Sequence, residues 1–334
     1  MPERKSSSSA WLSAGVLTAL LTGAGAAVAQ PPAWKPEKAV ELVVPSASGG
    51  GTDKTARLIQ KIWQDRRVLE VPVSVVNKSG GQGQVALTYL KSHAGDPHFL
   101  EIVSAVLLTN QISGSSPFSY TDFTPIALLN SEYVVFAVKA DSPVKTLKDL
   151  MARLQKDATS VSIAVGTSLG GANHVAAASV ARAAGADTKR LKTVVFKSSA
   201  DSAIAGLGGH VDLVVSSASI LLPHFSSGAM RFLAVSAPKR LGGALAAVPT
   251  LREQGANAVV DNFRLMMAPP GISPAHVAWW DRMMMRLSTT DEWKKDLESN
   301  GWENAYMNSR DTRNYLDTQH AELKSVLADM GLAK

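Results

Sequence analysis

The chain has 334 residues, no cysteine and 46% hydrophobic residues, which excludes a disulfide-stapled mini-domain and leaves apolar burial to hold the fold. Its formal net charge of +6 is carried by scattered basic residues, too weak and too dispersed for a nucleic-acid surface. Without cysteine there is also no acceptor for a lipid tether.

At the N-terminus, Arg4 and Lys5 precede an apolar stretch from Ala10 to Leu21, and small residues follow, ending Ala27-Val28-Ala29. That order is a secretory signal peptide with an A-x-A cleavage site, so residues 1–29 are expected to be removed on export to the periplasm. Its apolar core is shorter than the roughly 20 residues a membrane-spanning helix needs, and no later run reaches that length. Cleavage leaves about 300 residues, enough for two lobes.

From Ala39 onward one grammar repeats: a short β-branched run, a loop of Gly and Ser, then an alanine-rich helical stretch. This predicts βαβ units. Val40–Val44 leads through Pro45-Ser46-Ala47-Ser48-Gly49-Gly50-Gly51-Thr52-Asp53 into a helix through Ala56, Ile59 and Ile62. Val73–Val76 leads through Asn77–Gly83 into a helix through Val85, Leu87 and Leu90, and Phe99–Val103 through Ser104 into a short helix. A second series follows Pro143: a helix at Thr146–Leu154, the strand Val161–Val165 with its loop Gly166-Thr167-Ser168-Leu169-Gly170-Gly171, and a helix at Ala172–Ala184. Thr193–Phe196 with the loop Lys197-Ser198-Ser199, and Val211–Val215 with the loop Ser216-Ser217-Ala218-Ser219, complete it. Between the series, Tyr133–Lys139 reads as a long strand crossing between lobes and Phe263–Ala268 as the return; two crossings make a hinge. The expected division is therefore 30–132 with 263–334 as one lobe and 133–262 as the other.

A loop joining a strand's C-terminal end to a helix start carries unpaired N–H groups and the positive end of the helix dipole, which favour an anion. Glycines let a ligand approach that backbone. Asp53, where the first helix begins, is either a helix-start residue or a ligand contact; as a contact it would suit an amino or hydroxyl group, or a ligand held through water. His174, just inside the helix after Gly170-Gly171, is either a packed or capping histidine or a group facing the cleft. His93 and His98 flank the turn Gly95-Asp96-Pro97 and read as solvent-facing. Met283-Met284-Met285 circles a helix and reads as core filler. There is no P-loop, dinucleotide fingerprint, G-x-S-x-G elbow or H-E-x-x-H zinc motif, so no cofactor, metal or catalytic residue is expected. A hydrolase built on the serines at Ser216–Ser219 is the competing enzyme reading.

Taken in order, these segments resemble the receptors of tripartite tricarboxylate transporters, the Bug family of extracytoplasmic solute receptors. Gly49-Gly50-Gly51-Thr52-Asp53 with Ala56-Arg57 resembles the family's G-G-x-x-D-x-x-A-R, and Val76–Gly83 resembles V-E-N-R-P-G-A-G-G, with Lys78 for arginine and Ser79 for proline. Gly166-Thr167-Ser168 through Asn173-His174-Val175-Ala176 resembles G-x-x-x-H-L-A, and Val248-Pro249-Thr250-Leu251-Arg252-Glu253-Gln254-Gly255 resembles V-P-T-x-x-E-x-G. The chain departs from the family at Val194–Ser198, where V-P-Y-K-G is usual, and at Asp96–Leu100, where D-G-Y-T-L is usual.

The resemblance implies an α/β Venus-flytrap of two lobes with two crossover strands. It is expected to be a monomeric receptor holding a small organic acid by backbone amides of the first and fourth strand-to-helix loops. Integral-membrane transporter subunits, or a sensor kinase, would be its partner. Carried over by position, Ser46, Ser48, Gly49 and Asp53 belong to the first loop and Gly166, Thr167 and Ser168 to the fourth. The neighbouring candidates are Gly50, Gly81, Ser104, His174, Phe196, Lys197, Ser198 and Ser216. Phe196, in place of the family tyrosine, offers an apolar wall suited to an aromatic or longer aliphatic acid.

Overall fold

The computed structural model describes residues 34–166, 169–196 and 198–334. The expected signal segment, residues 1–29, lies outside them, as do Thr167, Ser168 and Lys197. The chain runs β1 (Val40–Val44), α1 (Gly51–Asp65), β2 (Val73–Asn77), one 3-10 turn (Gly81–Gly83), α2 (Gln84–Ser92), β3 (Phe99–Ser104), α3 (Val106–Ile112) and β4 (Thr124–Ser131). It continues through β5 (Val134–Lys139), α4 (Leu147–Lys156), β6 (Ser162–Gly166), α5 (Ala172–Ala183), β7 (Lys192–Phe196), α6 (Ser199–Leu207), β8 (Leu213–Ser217), α7 (Ala218–Ser226) and β9 (Met230–Val235). It closes with β10 (Arg264–Ala268), α8 (Pro274–Ser288), α9 (Asp291–Ser299), β11 (Glu303–Met307) and α10 (Ser309–Asp329).

Two sheets result, with strand orders β11-β4-β10-β3-β1-β2 and β7-β6-β8-β5-β9. Each contains a parallel trio, β2-β1-β3 and β7-β6-β8, followed by antiparallel strands. The parallel strands read as near-continuous apolar runs because helices cover both faces: Val40, Leu42, Val43 and Val44 of β1 are all buried. Against β1, α1 presents Ala56, Ile59, Ile62 and Trp63 at helical spacing, all buried.

The crossing differs from its sequence reading. Among the described residues no single long strand spans the lobes: β4 ends at Ser131 in the first sheet, β5 starts at Val134 in the second, and Glu132-Tyr133 passes between them. The return passes through Asp261, which forms an antiparallel bridge with Tyr133, while the Asn262 N–H donates to the Glu132 carbonyl at 2.9 Å. The two passages are thus tied to each other before each joins its sheet. The antiparallel strands β4, β9 and β11 are further elements that the repeating sequence grammar does not announce.

Other expectations also change. Ser216 and Ser217 are strand residues paired with Val135 and Val134, so no serine loop follows that strand. His98 is buried, with Nδ1 2.7 Å from Asp96 and Nε2 accepting the Glu37 N–H at 3.2 Å, and His93 stacks on Phe99; neither faces solvent freely, because the turn folds onto β3. Met283 and Met284 are core residues, whereas Met285 is exposed, since consecutive helix positions cannot all point inward.

A buried polar network occupies the crossing. Arg264 pairs with Glu132 at 2.9 Å, and its Nη1 donates to the carbonyls of Asn262 (2.6 Å) and Phe263 (3.0 Å). Glu132 also accepts from Ser219 (2.9 Å) and the Asn262 side chain (3.2 Å). Beside it, Asp261 accepts from Ser131 at 2.5 Å and Tyr315 at 2.7 Å. Burial pushes the Asp261 carboxyl from 3.8 up to about 6, against the lowering effect of those two hydrogen bonds.

A carboxyl whose folded pKa lies above its unfolded value favours folding while protonated; that contribution is complete below about pH 4 and is lost as pH rises through 6. Between pH 4.5 and 7.5 the wild type is expected to lose about 2 kcal/mol of stability relative to Asp261→Asn, whose side chain does not titrate. Urea unfolding of both proteins at the two pH values measures this, and parallel profiles would remove the assignment.

Candidate functional site

The two parallel trios end in the same turn. In the first lobe Gly49 has φ 90° and Gly50 caps α1 with φ −71° and ψ 167°; in the second, Gly170 has φ 78° and Gly171 caps α5 with φ −70° and ψ 168°. The left-handed first position demands glycine. In both turns the first glycine's N–H donates to the side chain four residues on: Gly49 to Asp53 Oδ2 at 2.8 Å, and Gly170 to His174 Nδ1 at 3.0 Å. Asp53 and His174 are the same device in two lobes, each buried and each holding its glycine turn in shape.

The consequence is at the helix starts. Side chains of Thr146, Ser198, Ser273, Thr290 and Asn308 cap α4, α6, α8, α9 and α10. At α1 and α5 the capping residue is glycine and no side chain caps the helix, so first-turn N–H groups and the dipole's positive end remain available to a ligand. The starts of α2, α3 and α7, at Gly83, Ala105 and Ser217, also lack a side-chain cap.

The first turn is further braced from β2. Asn77 donates to the Ser46 carbonyl and to Asp53 Oδ1, both at 2.9 Å, and the Ser46 and Thr52 hydroxyls are 2.8 Å apart. Arg57 pairs with Asp53 at 2.9 Å. Burial alone would raise the Asp53 carboxyl, but the bonds from Arg57, Gly49 and Asn77 outweigh it and hold it below the usual carboxylate range. Both oxygens are therefore spent on the protein. Ser48 is exposed, with its Oγ 3.4 Å from Asn77.

The residue that sequence reading missed is Arg264. A Cβ on Gly51 would lie 2.4 Å from its Nη2, so the third glycine of the run admits a guanidinium against the first turn of α1. Its Nε has no partner among the described residues. No local motif flags this arginine; only the return crossing brings it here.

On the facing lobe Gly166 is required by close approach, since a Cβ there would meet the Ser199 backbone at 2.7 Å. Gln82, held in a left-handed conformation at φ 55°, and Asn110, which donates to the Gln82 carbonyl at 2.9 Å, join Leu169, Gly170 and Gly171 around a cavity of about 160 Å³. Here the loops of the two lobes meet. Gly81 is exposed in the same 3-10 turn, and Ser104 lines a cavity of only about 30 Å³ beneath it. Phe196 is half-buried at the end of β7, and the Ser198 hydroxyl accepts the Asp201 N–H at 3.1 Å as the α6 cap. Ser216 is fully buried on β8, out of reach of a ligand. Thr167, Ser168 and Lys197 lie outside the described residues. Of the serines in the hydrolase reading, Ser216 is buried, Ser217 is half-buried on β8 and Ser219 donates to Glu132. Among the described residues no group of three potential metal ligands assembles, and no helix is long and apolar enough to cross a membrane.

The family model described as "Tripartite tricarboxylate transporter family receptor" matches residues 56–332. The chain belongs to that receptor family. A UPF0065 protein of Bordetella bronchiseptica is 24% identical over 315 residues, covering 93% of this chain and 91% of that protein. A TctC solute-binding protein from Polaromonas superposes with a TM-score of 0.77 at 25% identity, over 88% of this chain and 99% of that one. Rpa4515 of R. palustris, solved with adipate, gives 0.75 at 24% identity, over 89% and 99%. The receptor's two sheets are thus the two lobes of a periplasmic binding protein fold.

Burial holds His174 down to about 4. Its Nδ1 accepts from Gly170, so the neutral ring carries its proton on Nε2. A depressed pKa means stability present above pH 6.5 is lost as pH falls toward 4, by about 3 kcal/mol between pH 7.5 and 4 relative to His174→Asn. Urea midpoints compare the two. For Asp53→Ala, loss of three hydrogen bonds, two of them from the solvent-accessible Gly49 and Arg57, is expected to cost about 1–2 kcal/mol and to expose the turn at Gly49 to limited proteolysis; an unchanged melt and digest would deny the bracing role.

Proposed function

We propose that this receptor, exported by its N-terminal signal, captures a small organic acid between its lobes and delivers it to membrane subunits of a tripartite tricarboxylate-type transporter. The lobes are residues 30–132 with 263–334, and 133–262. One observation carries the reading: each lobe supplies one matched helix start, α1 and α5, capped by glycine and left without a side-chain cap. Two such ends suit an acid with two carboxylates, one at each helix. The adipate in the R. palustris relative is of that class. The exposed or half-buried turn residues Ser46, Ser48, Gly49, Gly50, Leu169, Gly170 and Gly171, with buried Gly166 at the end of β6, form the contact set, and Gln82, Asn110 and Phe196 lie around it; Thr167 and Ser168 join it on their place in the sequence alone. Asp53 and His174 act through the turns they shape, and Arg264 supports the α1 end with positive charge.

Charge-assisted bonds of this kind are worth about 1.5–3 kcal/mol each, so two carboxylates meeting backbone amides reach micromolar affinity after ordering costs. A ligand at 100 times its Kd stabilises by about 2.7 kcal/mol, a melting shift of roughly 4 °C in a chain of this size. Screening adipate, malate, citrate and benzoate by thermal shift is expected to find such an acid. Gly171→Asp should then weaken it at least tenfold by capping α5 internally and repelling the anion, with the unliganded melt unchanged or slightly raised. Full affinity in that variant would refute the role of the α5 end.

A further inference from the structure

A larger cavity lies elsewhere. Along the sheet orders, β4, β10 and β5 carry the crossings; the glycine turns lie on one side of them, and β11 and β9 on the other. On that other side a crevice of about 360 Å³ is walled by both lobes, within the size range of small-molecule sites. Leu222 of α7 with Leu241 and Leu245 form one wall, and Leu297 of α9 with Trp302 the other. Trp302 is buried, and its indole N–H has no acceptor among the described residues.

Charge at the rim is mixed. Lys239, Arg240 and Lys294 line the crevice against Glu298 and Glu303. Lys239 is paired with Glu303 at 2.9 Å across the lobes, and Arg240 with Glu253 at 2.9 Å. Lys294 and, one turn on, Glu298 are both exposed and form no ion pair among the described residues, so the ammonium stays open to a ligand while the neighbouring carboxylate limits that ligand to one negative charge. An apolar chamber with one uncommitted ammonium at its mouth matches an amphipathic anion bearing a single carboxylate.

We infer that this crevice is a second ligand site, separate from the glycine turns, that binds an amphipathic monocarboxylate: its apolar body packs between Leu241, Leu245 and Leu297, and its carboxylate pairs with Lys294. A dicarboxylate is disfavoured, since its second charge would have to lie against leucines without a partner. The inference does not depend on the function proposed above, because no residue of the glycine turns takes part.

The test is calorimetric titration of octanoate into the receptor at pH 7 and low salt, with propanoate as the short-chain control. Saturable one-to-one octanoate binding is expected, with propanoate silent. Ala244, exposed at the crevice, is the position for filling it: Ala244→Trp should weaken octanoate at least tenfold. Lys294→Glu, an exposed change on α9, should weaken it at least fivefold, and it decides the matter alone if melting shows that Ala244→Trp has not folded. No octanoate binding, or binding equally tight in the variants, overturns the assignment. So does self-association of the receptor that octanoate disperses, which would mean that a second copy covers this face.

Discussion

Everything in this receptor passes through the buried Glu132–Arg264 pair. It sits where the chain leaves the first sheet and where it returns, and it joins the two passages to each other through Asn262 and to α7 through Ser219. A buried ion pair is weak evidence for net stability, since desolvation offsets much of its attraction, yet removing one partner leaves an uncompensated charge. Its value here is positional. Arg264 is fixed against Gly51, so the residue that closes the crossing also lends positive charge to the helix start nearest the first glycine turn.

The two glycine turns show how one local solution serves both lobes. A left-handed glycine followed by an extended glycine ends each parallel trio, and a buried side chain four residues on receives the first amide. The accepting groups differ, a carboxylate in one lobe and an imidazole in the other. What is held constant is the geometry of the amide, not the chemistry of its partner. An aspartate on one side and a neutral histidine on the other also keep the two turns from presenting equal negative charge to an anion.

Much of the fold was legible because its signals are local. β-branched runs, glycine loops and alanine-rich stretches alternate along the sequence, and each helix start and parallel strand read from that alternation stands within one or two residues of its position in the structure. The exceptions have a common cause. Tyr133–Lys139 looked like one crossing strand, but apolar patterning does not reveal that Glu132 is where the partner sheet changes. Ser216 and Ser217 looked like a loop because serine favours turns; pairing with β5 overrode that preference. β4, β9 and β11 join by antiparallel contacts made over long sequence separations.

The sequence by itself determined the two-lobed α/β architecture, the glycine turns and the family, since these depend on short-range patterning and on motifs of consecutive residues. Only the tertiary structure decided that Asp53 and His174 turn inward to brace the turns, that Arg264 lies under α1, that Gln82 and Asn110 reach Leu169 and Gly170, and that Trp302 and Lys294 share a crevice with Leu241. Each of those depends on residues distant in the chain and brought together by the crossings. Burial and hydrogen-bond satisfaction, which choose between a side chain that meets ligand and one that serves the fold, are properties of that assembly and not of any segment within it.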